Sequence, residues 1–241
     1  MNFAIIAAGE GSRLKQEGIS IPKPLVKIHN TPMIDRVINS AIQNDATSIS
    51  IIINENSEEL KNHLTSLNLG IPLNIVVKST PSSMHSLFEL SKFLRDEPFF
   101  LSTTDSVYSN SEFSDFVRFC KTHKEYDAIL AVTEFIDDEK PLSVKLDSGF
   151  NILEFDDSIN DNQFVTGGAY FFRSLIFSQM EYALSKGTNR LRNFLRLLLE
   201  KGYKMRAYSF SKIIDVDHIN DIKTAEEFLT NIDNNLNYYS S

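Results

Sequence analysis

The stretch AIIAAGEGSRL (residues 4–14) joins an apolar run to a glycine-bearing loop that ends in an arginine and a leucine. The run FAIIAA does not alternate apolar and polar residues, which is typical of a strand covered on both faces in a parallel sheet. Gly9 and Gly11 stand where this strand ends, and residues without a Cβ let backbone N–H groups approach phosphate oxygens. Ser12 and Arg13 follow, and arginine offers a permanently charged fork to a polyphosphate. The loop predicts an anion site, although a tight turn explains the glycines alone equally well.

Strand and helix patterns alternate through the first half of the chain. After FAIIAA comes a helix pattern, TPMIDRVINSAI, with Thr31 as N-cap and Pro32 at the first helical position. Further strand and helix patterns follow in the order SISIIIN, SEELKNHLTSL, PLNIVVK, MHSLFELSKFL and PFFLSTTD. Successive β-α units of this kind indicate a doubly wound sheet with right-handed crossovers.

The second half is less regular. PLSVKLDSGFNILEF predicts a two-stranded ribbon that turns at residues 147–149, and TNRLRNFLRLLLEKG predicts a helix opened by Thr188 and closed by Gly202. GGAYFFR and KMRAYSF are further strand patterns. We therefore expect an α/β fold with a Rossmann-like, mostly parallel mixed sheet flanked by helices, and an antiparallel ribbon beside it. The predicted organisation is a single domain over residues 1–230 and a polar C-terminal tail over residues 231–241.

The composition excludes several partners. The chain has 24 basic and 32 acidic residues and a formal charge of −8, so nucleic acids and anionic membrane surfaces would be repelled overall. Its apolar runs are shorter than the ~20 residues of a membrane helix, and no secretory pattern precedes the first strand, so we expect a cytoplasmic protein. Cys120 is the only cysteine, which excludes an internal disulfide and predicts a buried small hydrophobe. Any bound phosphate must be held by a local site.

A second basic element, PKPL, follows the glycine loop closely. Lys23 lies between Pro22 and Pro24, which restrict the backbone on both sides and keep the segment stiff. An isolated P-K-P segment is better explained as a surface loop. With GEGSRL upstream, the functional interpretation of Lys23 is favoured instead. Together, AAGEGSRL and PKPLVKIHNTPMID resemble the N-terminal signature of the sugar-1-phosphate nucleotidyltransferases, also called nucleotide-sugar pyrophosphorylases.

The resemblance implies an enzyme that joins a nucleoside triphosphate to a small phosphate, expected to be a sugar 1-phosphate, and releases pyrophosphate. Arg13 and Lys23 would be catalytic, neutralising the charge that develops during phosphoryl transfer. The family places nucleobase contacts in the segment that reads STPSSMHSL here, although capping of the following helix is an equally good role for its two central serines. The implied nucleotide-binding residues are Ala8, Gly9, Gly11, Ser12, Arg13, Lys23, Ser82 and Ser83.

The resemblance also implies a metal site. FFLSTTDSVY is similar to the family's strand that ends in a metal-binding aspartate, with Thr104 where a glycine is usual, and IIDVDHINDIKTAEEFL resembles its closing segment. By similarity Asp105 and Asp215 would hold Mg²⁺, with Asp217 as an alternative or additional ligand. Mg²⁺ takes one or two carboxylates and completes its octahedron with waters and phosphate oxygens, which agrees with this set.

The acceptor half departs from the family pattern. VTGGAYFF resembles the sugar-contacting strand, and Asp105, Gly167 and Gly168 would lie against the acceptor, with the glycines leaving room for a ligand near the backbone. Ser143 stands where a glycine is usual, and Asp157-Ser158 takes the place of a Glu-Lys pair, so a lysine that contacts the sugar phosphate is missing. We expect an arginine to replace it, with Arg173 as first candidate and the arginines of TNRLR as the alternative.

Other functions stay open. Cytidylyl transfer to phosphocholine or another small phosphate is one alternative, and a catalytically inactive nucleotide- or sugar-binding regulatory module of the same fold is another. A dinucleotide-dependent oxidoreductase is disfavoured because Leu14 stands where the G-x-G-x-x-G pattern needs its third glycine.

Overall fold

The computed structural model describes residues 1–136, 139–159 and 164–239, with side chains described up to residue 232. The elements of the first half are β1 (Asn2–Ala7), α1 (Ser12–Gln16), β2 (Lys27–Ile28), β3 (Thr31–Pro32), α2 (Met33–Gln43), β4 (Ser48–Ile53), α3 (Glu58–Ser66), β5 (Leu73–Val77), α4 (Ser83–Leu90) and β6 (Phe99–Thr103). Those of the second half are β7 (Ser106–Tyr108), α5 (Asn110–Thr122), β8 (Ala128–Thr133), β9 (Ser143–Leu146), β10 (Ile152–Asp156), β11 (Phe164–Phe172), α6 (Met180–Ser185), α7 (Leu191–Glu200), β12 (Met205–Phe210), β13 (Ile213–Asp215) and α8 (Ile219–Tyr239). Within these ranges, no helix combines the length and apolarity that a bilayer span requires.

A nine-stranded sheet forms the centre of the described chain. β1 lies between β4 and β6 and is parallel to both, and β5 continues the parallel part beyond β4. β11 runs antiparallel to β6 and to β8, while β12 is parallel to β8. β9 and β10 form an antiparallel ribbon that joins the sheet through β11. The predicted mixed, mostly parallel sheet with an added ribbon is confirmed.

The register of the parallel strands places the site. Ile6 of β1 is opposite Thr103 of β6, so the two strands end at the same edge of the sheet. The glycine loop follows β1 there, and Asp105 follows β6. β13 pairs with β7 in a separate two-stranded sheet, in which Asp215 is opposite Ser106. Segments far apart in the sequence therefore meet at one edge.

Apolar side chains cover the central sheet on both faces. Ile5 and Ile51 belong to one buried cluster, whereas Ile6 and Ile52 belong to another. Neighbouring residues of a strand point to opposite faces, so this division confirms the two-sided burial predicted from the unbroken apolar runs. Cys120 is fully buried, and burial raises the pKa of its thiol, as expected for a structural rather than a reactive cysteine.

Two predicted helix starts are wrong, one by one residue and the other by two. Thr31 pairs with Ile28 in the β2–β3 hairpin, and α2 has Pro32 as its N-cap. The helix predicted to open at Thr188 begins only at Leu191, because Arg190 has a positive φ of 64° and interrupts the helical path. At the other end the predicted glycine is confirmed: Gly202 follows the last turn with a φ of 81°.

The C-terminal helix extends through most of the predicted tail. α8 covers Ile219–Tyr239, so the backbone of residues 231–239 is helical. The division into a domain over residues 1–230 and a separate tail stays a prediction.

Candidate active site

A cavity of about 390 Å³ opens at the carboxyl edge of β1 and β6. We call it the first cavity; it is lined by Ile6, Gly9, Gly11, Ser12, Arg13, Lys23, Pro24, Ser83, Thr103, Thr104, Asp105 and Asp217. The fold thus brings the glycine loop, the PKPL lysine and two predicted metal ligands to one place. Ala8 and Ser82 are predicted nucleotide contacts that are not part of this lining.

The glycine loop is shaped partly by Lys23. Gly11 has a φ of 60°, and a Cβ added to it would lie 2.7 Å from the Lys23 Cβ, so any side chain there would displace the lysine. Gly9 is different, since a Cβ at that position would meet nothing within 4 Å. Gly11 is therefore needed for packing within the protein, and only Gly9 faces open space of the kind that the predicted phosphate contact requires.

Lys23 connects two carboxylates. Its side chain is 9% exposed, and its Nζ donates hydrogen bonds to Asp105 Oδ2 at 2.7 Å and to Asp217 Oδ1 at 2.6 Å. Burial alone would lower the pKa of the Lys23 ammonium, but the two carboxylates outweigh burial and raise that pKa above its ordinary value. Burial would likewise raise the pKa of Asp105, yet Lys23 outweighs it and lowers that pKa. Lys23 and Asp105 are therefore both charged at neutral pH.

Arg13 lies beside the same group of charges. Its Nη1 donates a hydrogen bond to Asp217 Oδ2, and its Nη2 lies 3.7 Å from Glu139 Oε2. Asp217 therefore contacts both basic residues of the signature. Two cations and two carboxylates form one connected network on the wall of the first cavity, with Glu139 at its exposed side.

The segment that carries Asp217 is held in place by acidic side chains. Asp221 Oδ2 accepts hydrogen bonds from the backbone N–H of Asp217 at 2.9 Å and of His218 at 2.6 Å. Glu17 Oε2 accepts from the backbone N–H of Ile219 at 2.7 Å and so ties α1 to the start of α8. Neither Asp221 nor Glu17 was predicted from the sequence as part of the site. An acid three residues after His218, at a helix start, is a capping signal, but Glu17 has no comparable signal.

Asp215 occupies a different position from Asp217. It ends β13 and accepts a hydrogen bond from Ser106 Oγ at 2.8 Å. Within the described ranges no group of three or more His, Cys, Asp or Glu side chains forms a metal cluster. Asp105 lines both cavities, Asp217 lines only the first and Asp215 lines only the second, so the structure places each predicted second ligand on a different side of Asp105.

A second cavity of about 300 Å³ adjoins the first. Its lining is Ser83, Thr103, Asp105, Leu142, Thr166, Gly168, Tyr170, Arg190, Leu191, Arg192, Leu195 and Asp215, and the first three of these line both cavities. Tyr170 is buried, and burial raises the pKa of its hydroxyl, which is thus a neutral hydrogen-bond donor at physiological pH.

The two glycines of β11 are required by the packing of their neighbours, which the sequence did not predict. A Cβ on Gly167 would lie 2.2 Å from Ile213 Cδ1, and one on Gly168, which has a φ of 70°, would lie 2.0 Å from Ser106 Oγ. Both positions are therefore filled by neighbouring side chains rather than left open for a ligand. Gly168 still lines the second cavity, whereas Gly167 is packed behind it.

Ser82 and Ser83 hold the start of α7. Ser82 Oγ accepts a hydrogen bond from the Arg190 backbone N–H at 2.9 Å, and Ser83 Oγ accepts one from the Leu191 N–H at 3.0 Å. Ser82 occupies the N-cap position of α4 but makes no side-chain capping bond there. The capping interpretation is therefore wrong, and the nucleobase contact stays a prediction.

The departures from the family pattern lie together beside the second cavity. Ser143 Oγ donates to the backbone oxygen of Ser158 at 2.6 Å and closes the end of the β9–β10 ribbon. Asp157 Oδ1 receives Arg192 Nη1 at 2.8 Å and Arg196 Nη2 at 2.9 Å, and these guanidinium groups lower the pKa of Asp157. Two arginines of α7 thus lie beside the Asp157-Ser158 pair, in which the lysine of the family pattern is missing.

Arg173 lies elsewhere. It follows β11 at the end where Phe172 pairs with Phe99, the first residue of β6. Because β11 is antiparallel to β6, a residue after β11 emerges at the edge of the sheet opposite Asp105. The Arg173 Nη1 donates to the Lys124 backbone oxygen at 3.3 Å. This placement counts against Arg173 as the acceptor-phosphate ligand and in favour of the alternative in TNRLR.

A doubly wound α/β sheet with a glycine loop, two cations and two carboxylates at its carboxyl edge defines a class of proteins that bind nucleotide phosphates. The family is more specific. Residues 4–232 match the sequence model of the nucleotidyl transferase family, so the chain belongs to that family.

Curated relatives match part of the chain. A mannose-1-phosphate guanyltransferase of Gibberella zeae is 30% identical over 128 residues, which are 51% of this chain and 35% of that protein. A probable mannose-1-phosphate guanylyltransferase 3 of Oryza sativa subsp. japonica is 29% identical over 160 residues, 64% of this chain and 44% of that protein. The matched region spans less than half the length of these relatives.

Solved structures match nearly the whole chain. The inositol-1-phosphate CTP transferase from T. maritima superimposes with a TM-score of 0.80 over 93% of each chain, at 19% identity. A putative glucose-1-phosphate thymidylyltransferase from Bacillus anthracis superimposes with a TM-score of 0.82 over 95% of this chain and 94% of that chain, also at 19% identity. At this identity the comparison establishes the shared fold.

Proposed function

We propose that this protein transfers a nucleotidyl group from a nucleoside triphosphate to a sugar 1-phosphate, giving a nucleotide sugar and pyrophosphate. The observation that carries the proposal is the meeting of Arg13, Lys23 and Asp105 in one cavity, which shares Asp105 with a second cavity. Family membership and the mannose-1-phosphate guanylyltransferases among the relatives support the same reaction.

The proposed chemistry is a single displacement. A phosphate oxygen of the acceptor attacks the α-phosphorus of the triphosphate, the bond between that phosphorus and its bridging oxygen to the β-phosphorus breaks, and pyrophosphate leaves with the electron pair. No covalent enzyme intermediate is needed. The contribution of the protein is positioning and charge neutralisation, which are the dominant effects in phosphoryl transfer.

The triphosphate would lie in the first cavity. The open space beside Gly9 allows phosphate oxygens to approach the backbone, and Arg13, which lines the same cavity, would supply a permanent positive charge to them. Lys23 is buried and held by two carboxylates, so its charge is fixed in position before the substrate arrives. Fixed charges aimed at a developing negative charge stabilise a transition state without reorganisation.

The carboxylates fit a magnesium site. Asp105, Asp215 and Asp217 offer only hard oxygen donors, and Mg²⁺ is satisfied by one or two carboxylates together with waters and phosphate oxygens. We propose that Asp105 is one ligand and that Asp217 or Asp215 is the second. When bound, Mg²⁺ would neutralise charge on the phosphate oxygens. Lys23 would then keep Asp105 ionised and hold both Asp105 and Asp217 in position through its two hydrogen bonds.

A second candidate is cytidylyl transfer to phosphocholine or another small phosphate. The observation that favours it is the change around Ser158, where the lysine expected for a sugar phosphate is missing and α7 arginines bind Asp157 instead. A regulatory module without turnover is the third possibility, and the retained Arg13, Lys23 and Asp105 argue against it.

One screen separates the three. Purified protein is incubated with Mg²⁺ and each nucleoside triphosphate against a panel of sugar 1-phosphates, inositol 1-phosphate and phosphocholine, and pyrophosphate release is measured. Turnover with a sugar 1-phosphate supports the proposal, and turnover with phosphocholine alone supports the second candidate. Lys23→Ala is the inactive reference, and Lys27→Ala, which changes an exposed lysine of β2, is its matched control. Triphosphate binding without any pyrophosphate release would indicate the regulatory module.

A further inference from the structure

The lining of the second cavity carries charges of both signs. Asp105 and Asp215 provide carboxylates, while Arg190 and Arg192 provide guanidinium groups from the start of α7. The chain as a whole has a formal charge of −8, so its general field repels a phosphate dianion. A phosphorylated acceptor that enters this cavity beside two carboxylates therefore requires a local cation.

The backbone of Arg190 is strained. Its φ of 64° and ψ of 143° lie in a region that residues with a side chain rarely adopt. Two hydrogen bonds, from the N–H groups of Arg190 and Leu191 to Ser82 Oγ and Ser83 Oγ, hold it there. Strain of this kind concentrates at ligand-binding positions, where the surrounding structure maintains a conformation that local preference opposes.

The two arginines of the cavity differ in what they already bind. Arg192 is engaged through Nη1 with Asp157 at 2.8 Å and through Nη2 with the Lys140 backbone oxygen at 2.8 Å. Arg190 is exposed, and among the side chains that the structure describes its guanidinium makes no hydrogen bond or ion pair. The cavity thus has one cation held by the protein and another available to a ligand.

We propose that Arg190 binds the phosphate monoester of the acceptor, with Arg192 as a fixed positive charge beside it. This inference rests on the proposed nucleotidyl transfer and assigns its acceptor subsite. In the family pattern a lysine at the position of Ser158 would bind the acceptor phosphate, and in this chain Arg190 has that role. An arginine presents paired N–H donors that match two oxygens of a phosphate, so the contact is both strong and directional.

The strained backbone makes an informative set of variants possible. Arg190→Gln removes the charge, Arg190→Lys retains it without the paired donors, and Arg190→Gly removes the side chain while allowing a φ of 64° without strain. Arg118→Gln is the matched control, since Arg118 is an exposed arginine on α5 that pairs with Asp115. Arg173→Gln tests the candidate that the sequence favoured.

The measurement is steady-state pyrophosphate release with whichever phosphate monoester of the panel the wild type uses, together with thermal unfolding. Arg190→Gln is expected to raise KM for the acceptor about 10- to 100-fold and to leave KM for the triphosphate unchanged, since a charged hydrogen bond to one substrate is lost. Arg190→Lys is expected to recover part of this loss. Arg190→Gly is expected to show the same kinetic loss with a melting temperature equal to or above that of the wild type.

Each contrary outcome has a distinct meaning. An unchanged acceptor KM in Arg190→Gln, with turnover intact, overturns the assignment of Arg190 but not the proposed function. An acceptor KM that rises in Arg173→Gln and not in Arg190→Gln returns the role to Arg173. A kinetic loss in Arg190→Gly that is matched by a fall in melting temperature indicates a structural role and also overturns the assignment. Failure of the wild type with every pair of substrates contradicts the proposed function itself, and the assignment falls with it.

Discussion

The two cavities differ in how their walls are distributed along the sequence. In the first cavity, both cations and the glycine loop come from residues 9–23, while the two carboxylates and the hydroxyl groups of Ser83, Thr103 and Thr104 come from distant segments. The walls of the second cavity come from α4, β6, the segment before β9, β11, α7 and β13. A site concentrated in one segment leaves a motif that can be recognised. A site assembled from many segments leaves isolated residues whose roles depend on how the chain is folded.

The cavities also differ in how their cations are held. Lys23 in the first cavity is buried between two carboxylates, and Arg13 contacts one of the same carboxylates. In the second cavity Arg192 is engaged by the protein, but Arg190 projects from a strained backbone without a partner among the described side chains. The first arrangement is suited to fixed electrostatic stabilisation and the second to capture of a ligand. Four predictions test this distinction, from the largest expected effect to the smallest.

Asp105 is the residue whose change should have the largest effect. Asp105→Asn removes one negative charge but little volume, so we expect loss of Mg²⁺-dependent turnover in a folded protein. Turnover is measured as pyrophosphate release over a range of Mg²⁺ concentrations. Circular dichroism shows whether the variant is folded. Asp115→Asn, an exposed aspartate of α5, serves as control. Undiminished activity at low Mg²⁺ would remove Asp105 from the metal site, and an unfolded variant would make it a structural residue.

Substitution of the signature cations should be nearly as severe. Lys23→Ala and Arg13→Ala each remove a fixed charge of the first cavity, and loss of an aimed donor lowers kcat by about 100- to 1,000-fold. Arg13→Lys should also be poor, because an ammonium cannot reproduce the two-pronged contact. Single-turnover rates at saturating substrate measure the effect, with Lys27→Ala as control. Changes confined to thermal stability would indicate a relative of the family without turnover.

The two glycines of the loop should behave differently from each other. Gly11→Ala introduces a Cβ 2.7 Å from the Lys23 Cβ at a φ of 60°, so we expect a loss of about 1–3 kcal/mol in the free energy of unfolding. Gly9→Ala meets no protein atom within 4 Å and should leave stability unchanged while raising KM for the triphosphate. Urea unfolding and substrate titrations distinguish the two. If both changes raised KM for the triphosphate equally and neither lowered the free energy of unfolding, the position of Lys23 would not depend on Gly11.

The pH dependence of unfolding tests the lysine network. Lys23 lowers the pKa of Asp105 in the folded protein. The contribution of Asp105 to the free energy of unfolding is therefore complete above the pKa of an unfolded aspartate, ~3.9, and is lost only as the pH falls below that value. The pKa of Lys23 is raised, so its contribution to the free energy of unfolding is complete up to a pH of ~10.4, the pKa of an unfolded lysine. In the wild type these groups therefore contribute a constant free energy of unfolding between pH 5 and pH 8.

In Lys23→Met this cluster should instead make the free energy of unfolding depend on pH within the same range. Two carboxylates then lose their shared cation, and like charges raise a carboxyl pKa above its unfolded value. Because Arg13 still pairs with Asp217, the carboxyl pKa that rises should be mainly that of Asp105. The variant should therefore gain stability as the pH falls from 7 to 5. Urea unfolding of wild type, Lys23→Met and Lys27→Met at several pH values measures the slopes, and identical slopes in all three would contradict the arrangement.

Much of the architecture was predictable because it depends on local patterns. Unbroken apolar runs such as FAIIAA indicated strands buried on both faces, and the turn at residues 147–149 indicated the ribbon. The stiff PKPL segment and the glycine loop are close in sequence, so their joint role could be inferred without a structure. Helix starts were harder, since the β2–β3 pairing at Thr31 and the strain at Arg190 arise from contacts that no local propensity encodes.

The direction of β11 shows what only the tertiary structure decided. The sequence identifies a strand at GGAYFFR but not its orientation in the sheet, and the antiparallel pairing with β6 carries Arg173 away from the site and leaves Gly168 beside it. The same holds for Ser82 and Ser83, whose bonds to the start of α7 join residues that are 108 positions apart. Hydrophobic periodicity and sequence motifs indicate which helix, strand or loop a residue belongs to, because they depend on neighbours along the chain. Which side chains meet is decided by strand order, strand direction and register, and these depend on the packing of the whole sheet.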